Sequence, residues 1–274
     1  MPEGPEIRRA ADRLERALLD RPLTSVFFAF PDLAAEADAL VGQCVTAVDT
    51  RGKALLTRFD GGLTMYSHNQ LYGRWYVMRS GRQPKTGRSL RVALHNDRHS
   101  ALLYSASDVA LLDAEGLAAH PFLGRLGPDI LERGLTPEAV AERLAADPFR
   151  RRSLASLYLD QGFLAGNGNY LRSEVLFFAG LRPQARPVDL DAGQRARLAR
   201  VTLTVARRSY RTGGITNPPS RVAALKEQGL RRGALRFAVF GRADRPCFEC
   251  GTPIERVAAA GRRLYFCPRC QAGD

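Results

Sequence analysis

The sequence predicts a multidomain α+β chain: one helix leading a sandwich or barrel of short strands, then a helical region, then a small four-cysteine hairpin. Three observations predict it. Ile7, Ala10, Ala11, Leu14, Ala17 and Leu18 fall on one face at helical spacing. From residue 23 to residue 105, short apolar runs alternate with turn signals such as Asp60-Gly61-Gly62. Beyond the Gly/Pro-punctuated stretch 120–129 the apolar period becomes helical, until four cysteines cluster near the end.

The elements follow in order. The strand candidates are Leu23–Phe30, Cys44–Asp49, Ala54–Phe59, Leu63–Ser67, Tyr72–Met78, Leu90–Leu94 and Ala101–Ser105, too short and too evenly spaced for a doubly wound sheet. Thr136-Pro137-Glu138 opens a helix with a cap, a proline and an acid in the first turn. Ser153–Asp160 reads as a second helix, and Tyr170–Ala179 as a third, closed by Gly180 and Pro183. Asp191–Tyr210 is a long fourth helix, and residues 211–233, rich in Gly, Pro and basic residues, read as a flexible surface loop. Three domains are expected: 1–125, 126–235 and 236–274.

At 274 residues the chain can bury a sizeable core, and its 45% hydrophobic and 25% charged residues are ordinary for a globular protein. No apolar run approaches the roughly 18 residues of a membrane span, and the N-terminus lacks a signal-peptide core, so a cytoplasmic protein is expected. Net charge is +13, and it is uneven: residues 1–125 hold 16 basic against 14 acidic side chains, residues 126–274 hold 25 against 14. A polyanionic partner fits that bias, and so does a solubility or codon effect.

The first residues, Met1-Pro2-Glu3-Gly4-Pro5-Glu6, carry chemical potential. Pro2 is a small second residue that favours removal of Met1, leaving a secondary amine. Such an amine attacks an aldehyde carbon and collapses to an iminium, and Glu3 is the nearest acid or base. Prolines that merely open a helix read the same way.

Cys247-x2-Cys250, 16 intervening residues and Cys267-x2-Cys270 have the spacing of a closed structural zinc site, with a β-hairpin over Val257–Phe266 between the knuckles. Metal-free buried thiols or a redox pair are the alternatives. Arg262 and Arg263 fall at the hairpin tip, where a guanidinium can meet phosphate or simply water. Gly166-Asn167-Gly168-Asn169 lies between two expected helices and suits close backbone approach, or a plain helix–helix turn. Arg51-Gly52-Lys53 lies between two strands. Cys44 reads as a small core residue, and the four histidines show no ligand spacing.

Together, the Pro2–Glu6 start, Arg51-Gly52-Lys53, the segment Asp160–Glu174 and the terminal cysteines resemble the formamidopyrimidine-DNA glycosylase/endonuclease VIII family over essentially the whole chain. Met1–Ile7 and Tyr66-Ser67-His68-Asn69-Gln70-Leu71-Tyr72-Gly73 resemble its endonuclease VIII branch more than its 8-oxoguanine branch. The resemblance implies an N-terminal β-sandwich with its helix, a helix–two-turns–helix domain and a four-cysteine zinc finger. It implies a bifunctional DNA glycosylase/AP lyase of base excision repair. Pro2 would form the Schiff base, Glu3 would protonate the leaving base, Lys53 would assist β-elimination and Arg262 δ-elimination. Gln70, Leu71 and Tyr72 would fill the gap left by an extruded base, while Arg125 and Asn169 would bind phosphate. Damaged duplex DNA is the implied partner and oxidised pyrimidines the implied substrate, with one structural zinc, no organic cofactor and a monomer. The 8-oxoguanine branch and an inactive lesion-binding protein are the competing implications. Asn167, Gly162 and a long 211–233 segment depart from the family pattern.

Overall fold

The computed structural model describes residues 2–272 and divides them into two compact units. Pro2 and Glu6–Arg125 form the first; Glu3–Pro5 and the chain from Leu126 onward form the second.

The first unit is a β-sandwich. After α1 (Gly4–Leu18) come β1 (Ser25–Phe28), α2 (Pro31–Ala34), β2 (Val45–Arg51), β3 (Ala54–Phe59) and β4 (Thr64–His68), then β5 (Arg74–Arg79), β6 (Leu90–His95), β7 (His99–Tyr104), β8 (Asp108–Leu112) and α3 (Ala114–Ala119). Two four-stranded antiparallel sheets result, in the orders β1-β6-β7-β5 and β2-β3-β4-β8. One core joins them: Leu55, Phe59 and Met65 of one sheet pack with Trp75, Val92, Leu94 and Leu103 of the other. The predicted apolar face of α1 covers this same core through Ile7, Ala11, Leu14 and Leu18. Ala54, Leu56 and Tyr66 form a second cluster with Ala110, Leu112 and Phe122, so β3 and β4 are buried on both faces. That explains why their sequences read as continuous apolar runs rather than alternating ones. The expected strands all form, within a few residues. The strand expected from Tyr72 starts only at Arg74, and β8 carries no turn signal that would have announced it.

The second unit is helical, with a small hairpin. It contains α4 (Pro137–Ala145), α5 (Asp147–Arg150), α6 (Leu154–Leu157), α7 (Asn169–Ala179), α8 (Ala192–Thr212), α9 (Pro219–Glu227), α10 (Arg232–Leu235), β9 (Glu255–Ala259) and β10 (Arg262–Phe266). Thr136 and Asp191 cap α4 and α8 as their residue types predict, and Gly180 ends α7 in the left-handed conformation at φ 67°. The helix expected over Ser153–Asp160 is a single turn. Asp160 ends it by accepting from the Gly162 amide at 2.8 Å, which opens two successive turns leading to α7.

Residues 211–233 are not a flexible loop. Gly213 ends α8 at φ 70°, Thr216 and Asn217 are buried, and Pro218-Pro219 start α9. The Thr216 amide donates to Arg236 O at 2.8 Å and the Asn217 side-chain amide to Leu235 O at 3.0 Å, closing the segment at its base. Composition suggested mobility; long-range hydrogen bonds override it.

Glu174, on α7 and buried, joins helix to hairpin. Its carboxylate accepts from the amides of Ala238, Val239 and Phe240 at 2.8–2.9 Å and from the Thr216 hydroxyl. Burial pushes this carboxyl up, against four donors that favour the ionised form.

The four cysteine sulfurs lie within 4.8 Å of one another, with Cys247 and Cys270 at 3.8 Å and Cys250 and Cys267 at 3.5 Å. Zn–S bonds of about 2.3 Å in a tetrahedron separate sulfurs by roughly 3.8 Å, so the cluster fits one zinc with no open position. The Glu249 and Cys270 amides point at Cys247 and Cys267 sulfur, at 3.4 Å each, and favour the thiolate. The zinc is structural, holding two knuckles around a hairpin whose core is too small to fold alone.

Two outcomes are expected. Glu174→Ala leaves three buried amides unpaired and should lose about 3–5 kcal/mol in urea unfolding; a loss under about 1 kcal/mol would deny it this joining role. A thiol reagent should modify at most Cys44 in the native protein and all four remaining cysteines once a chelator removes zinc. Rapid reaction of all five without chelator would contradict the metal cluster.

Candidate active site

Glu3 is 2% exposed, and its carboxylate lies at the N-terminus of α7. Oε1 accepts from the Tyr170 amide at 2.8 Å and Oε2 from the Leu171 amide at 3.2 Å. These are second- and third-position amides, which a helix cannot satisfy internally, and the helix dipole adds positive potential there. A site built to bind an anion is here filled by the protein's own carboxylate. The neighbouring backbone is also pinned, since the Gly4 amide donates to Gly166 O at 2.8 Å.

Glycine is required at 168 for space rather than backbone freedom. Its φ of −154° is ordinary extended geometry, but a Cβ there would lie 2.4 Å from Glu3 Cδ. Gly166 is different: its φ of +90° suits the turn itself.

Asn169, the first residue of α7, donates through Nδ2 to Arg263 O at 2.7 Å and accepts at Oδ1 from Arg172 at 2.6 Å. Arg172 is fully buried and also donates to Ala155 O at 2.7 Å and Ala259 O at 3.1 Å. One guanidinium thus ties α6, the start of α7 and the β9–β10 hairpin whose first β10 residue is Arg262. Burial pushes Arg172 down to about 10, with the Glu3 carboxylate opposing and the Arg262 cation adding to the fall. It therefore stays charged at neutral pH. Glu3, Asn169 and Arg262 are brought into one electrostatic neighbourhood, and Arg172 is the member that sequence reasoning missed. Its three-residue spacing from Asn169 was the available signal.

The remaining expected residues belong to the first unit. Pro2 is half-buried. Lys53 is buried and follows Gly52, at φ 62°, in the two-residue turn joining β2 to β3. Gln70, Leu71 and Tyr72 occupy a tight turn after β4, where the Gly73 amide donates to Asn69 O at 2.7 Å. Leu71 is 59% and Tyr72 68% exposed, so neither is strand core. Arg125 is exposed, with Nε donating to Pro121 O at 2.9 Å.

The first unit thus holds a half-buried proline at position 2, a buried lysine and an exposed apolar turn; the second holds a fixed carboxylate and clustered arginines. Residues 1–108 match the formamidopyrimidine-DNA glycosylase N-terminal domain, residues 126–219 its H2TH domain, and residues 245–273 the zinc finger found in FPG and IleRS. The chain is 52% identical over 272 residues to Endonuclease 8 of Escherichia coli O17:K52:H18, covering 99% of this chain and 100% of that one. It is 51% identical, with the same coverage, to Endonuclease 8 of Shigella sonnei. Among solved structures it shares its fold with Lactococcus lactis Fpg in complex with DNA containing an oxidised pyrimidine, at TM-score 0.79 and 20% identity, over 98% of this chain and 99% of that one. The same Fpg in complex with abasic-site DNA matches equally, at TM-score 0.79. No helix among the described residues is long and apolar enough to cross a membrane. The chain belongs to the formamidopyrimidine-DNA glycosylase/endonuclease VIII family, whose members are DNA glycosylases with AP lyase activity.

Proposed function

We propose that this chain is a bifunctional DNA glycosylase/AP lyase that removes oxidised pyrimidines from duplex DNA and cleaves the strand by β,δ-elimination. The observation that carries the reading is the Glu3 carboxylate, fixed by two helix-terminal amides and covalently next to Pro2. A proton carrier beside an amine nucleophile is the minimum machinery for removing a base through a Schiff base.

The steps follow from that pairing. The Pro2 nitrogen forms a bond to C1′ as the C1′–N bond to the base breaks, and the departing base takes a proton from Glu3. The amine proton is lost and the C1′–O4′ bond breaks, with O4′ taking a proton, so the sugar opens to an iminium. This acidifies the C2′ proton, whose loss expels the 3′-phosphate, with Lys53 as proton donor to the leaving group. A second proton loss, from C4′, expels the 5′-phosphate, with Arg262 balancing the leaving charge. Water then frees the sugar fragment and restores the amine.

Binding uses other residues. A base inside a duplex is out of reach and must be extruded, and damaged pairs open more readily. The exposure of Leu71 and Tyr72 supports a role for Gln70, Leu71 and Tyr72 in filling the vacated stack. Asn169 keeps one Nδ2 hydrogen beyond its bond to Arg263 O, and Arg125 keeps its terminal amines; both can donate to phosphate. The excess positive charge after residue 125 supports the same partner. Whole-length identity of 52% to Endonuclease 8, against 20% to the Fpg of the solved structures, supports the endonuclease VIII branch, for which the resemblance implies oxidised pyrimidines. We read the enzyme as a monomer.

Borohydride trapping on duplexes carrying thymine glycol, 8-oxoguanine or an abasic site tests this reading. The expected result is a covalent adduct at Pro2 with thymine glycol and with the abasic site. An adduct with 8-oxoguanine in preference to thymine glycol would move the chain to the purine branch. No adduct from protein lacking Met1 would refute the amine mechanism.

A further inference from the structure

The turn that carries Leu71 and Tyr72 holds a conformation its own residues disfavour. Gln70 sits at φ 47°, in the left-handed region, where a side chain other than glycine is strained by about 1 kcal/mol or more. Gly73 closes the turn so tightly that a Cβ there would lie 2.6 Å from Asn69 Cα and O. Three groups outside the turn hold this shape. Ser107 donates to Gln70 Oε1 at 3.1 Å and Arg88 donates to Tyr72 O at 2.5 Å. The third is His68, the last residue of β4, whose Nδ1 accepts the Gln70 backbone amide at 3.1 Å.

The His68 ring is itself held in place. Phe122 meets it edge-on at 5.3 Å, and the neighbouring strands place Ala54 and Asp108 opposite it. A neutral ring accepting at Nδ1 carries its proton on Nε2; an imidazolium would turn an N–H toward the Gln70 amide, donor against donor.

We propose that His68 is a positioning residue, which in its neutral form fixes the Gln70–Tyr72 turn in the shape that enters the DNA stack. The proposal rests on the reading of that turn as the wedge. The surrounding groups agree with it. Burial lowers the His68 titration; Asp108 on β8 opposes this, and Lys53, just ahead of β3, reinforces it. His120, two residues before Phe122, stacks on Tyr66 at 4.3 Å. Because the folded value lies below that of an unfolded histidine, the ordered turn is fully supported above about pH 6.5 and is lost as pH falls through the folded value.

The test measures base opening by stopped-flow fluorescence of 2-aminopurine beside a thymine glycol, from pH 5 to pH 8. His68→Asn places an acceptor oxygen near the Nδ1 position and cannot titrate; His68→Leu removes the acceptor. Wild type should open bases more slowly on the acid side. His68→Asn should open at close to the wild-type rate at pH 7.5 and lack the acid decline, which also shows the fold intact. His68→Leu should open about tenfold more slowly throughout, the size of one lost hydrogen bond. Wild-type opening by His68→Leu, or an acid decline retained in His68→Asn, would overturn the proposal. Unchanged opening in Leu71→Gly would refute the wedge reading, and this proposal with it. Failure of the wild type to form its Pro2 adduct would refute only the Schiff base, leaving the opening series to decide on His68.

Discussion

The N-terminus of α7 is the constraint on which the second unit depends. Its second- and third-position amides bind the Glu3 carboxylate, and this holds the residue next to Pro2 to the frame of a buried helix. The same eleven-residue helix carries Asn169 and Arg172, which hold the hairpin strand bearing Arg262, and Glu174, which holds residues 238–240. Glu3, Asn169 and the zinc hairpin therefore share one reference. The proton donor proposed above would lose much of its effect if misplaced by one ångström, and a helix whose residues are nearly all buried is a suitable mount.

This arrangement places ionisable groups where charge is costly. Glu3, Arg172 and Glu174 are all shielded from water. Each is surrounded by peptide dipoles: amides for the two carboxylates, carbonyls for the guanidinium. Dipoles compensate a buried charge only while their backbone stays in place, so the charges specify the backbone arrangement as much as they depend on it. Glycine at 168 belongs to the same logic, since only the absence of a side chain lets the carboxylate reach the amides.

Much of this was legible in the sequence, for a physical reason: the readable parts are local. Cysteine spacing, a helical apolar face from Ile7 to Leu18, the cap at Thr136 and the Gly180 stop each depend on neighbours a few residues away. The resemblance carried by Pro2–Glu6 and Lys53 added the family. The illegible parts are long-range. Glu174 bonds to amides more than 60 residues later, and residues 211–233, expected to be flexible, are ordered by bonds to Leu235 and Arg236. β8 escaped notice because an edge strand of five half-buried residues has no strong period. Arg172 looked like any surface arginine; only the fold reveals that it is sealed among carbonyls.

The central claim is that the amides at the start of α7 position Glu3 for base removal. The most direct measurement is single-turnover excision of thymine glycol by Gly168→Ala, Glu3→Gln and the double variant, each checked for bound zinc. Both single variants should lose excision by roughly 10²- to 10⁴-fold, the scale of a general acid, and the double variant should be little worse than either. Cleavage at a preformed abasic site, which has no base to protonate, should persist in all three. Wild-type excision by Gly168→Ala, or losses that multiply in the double variant, would contradict the account.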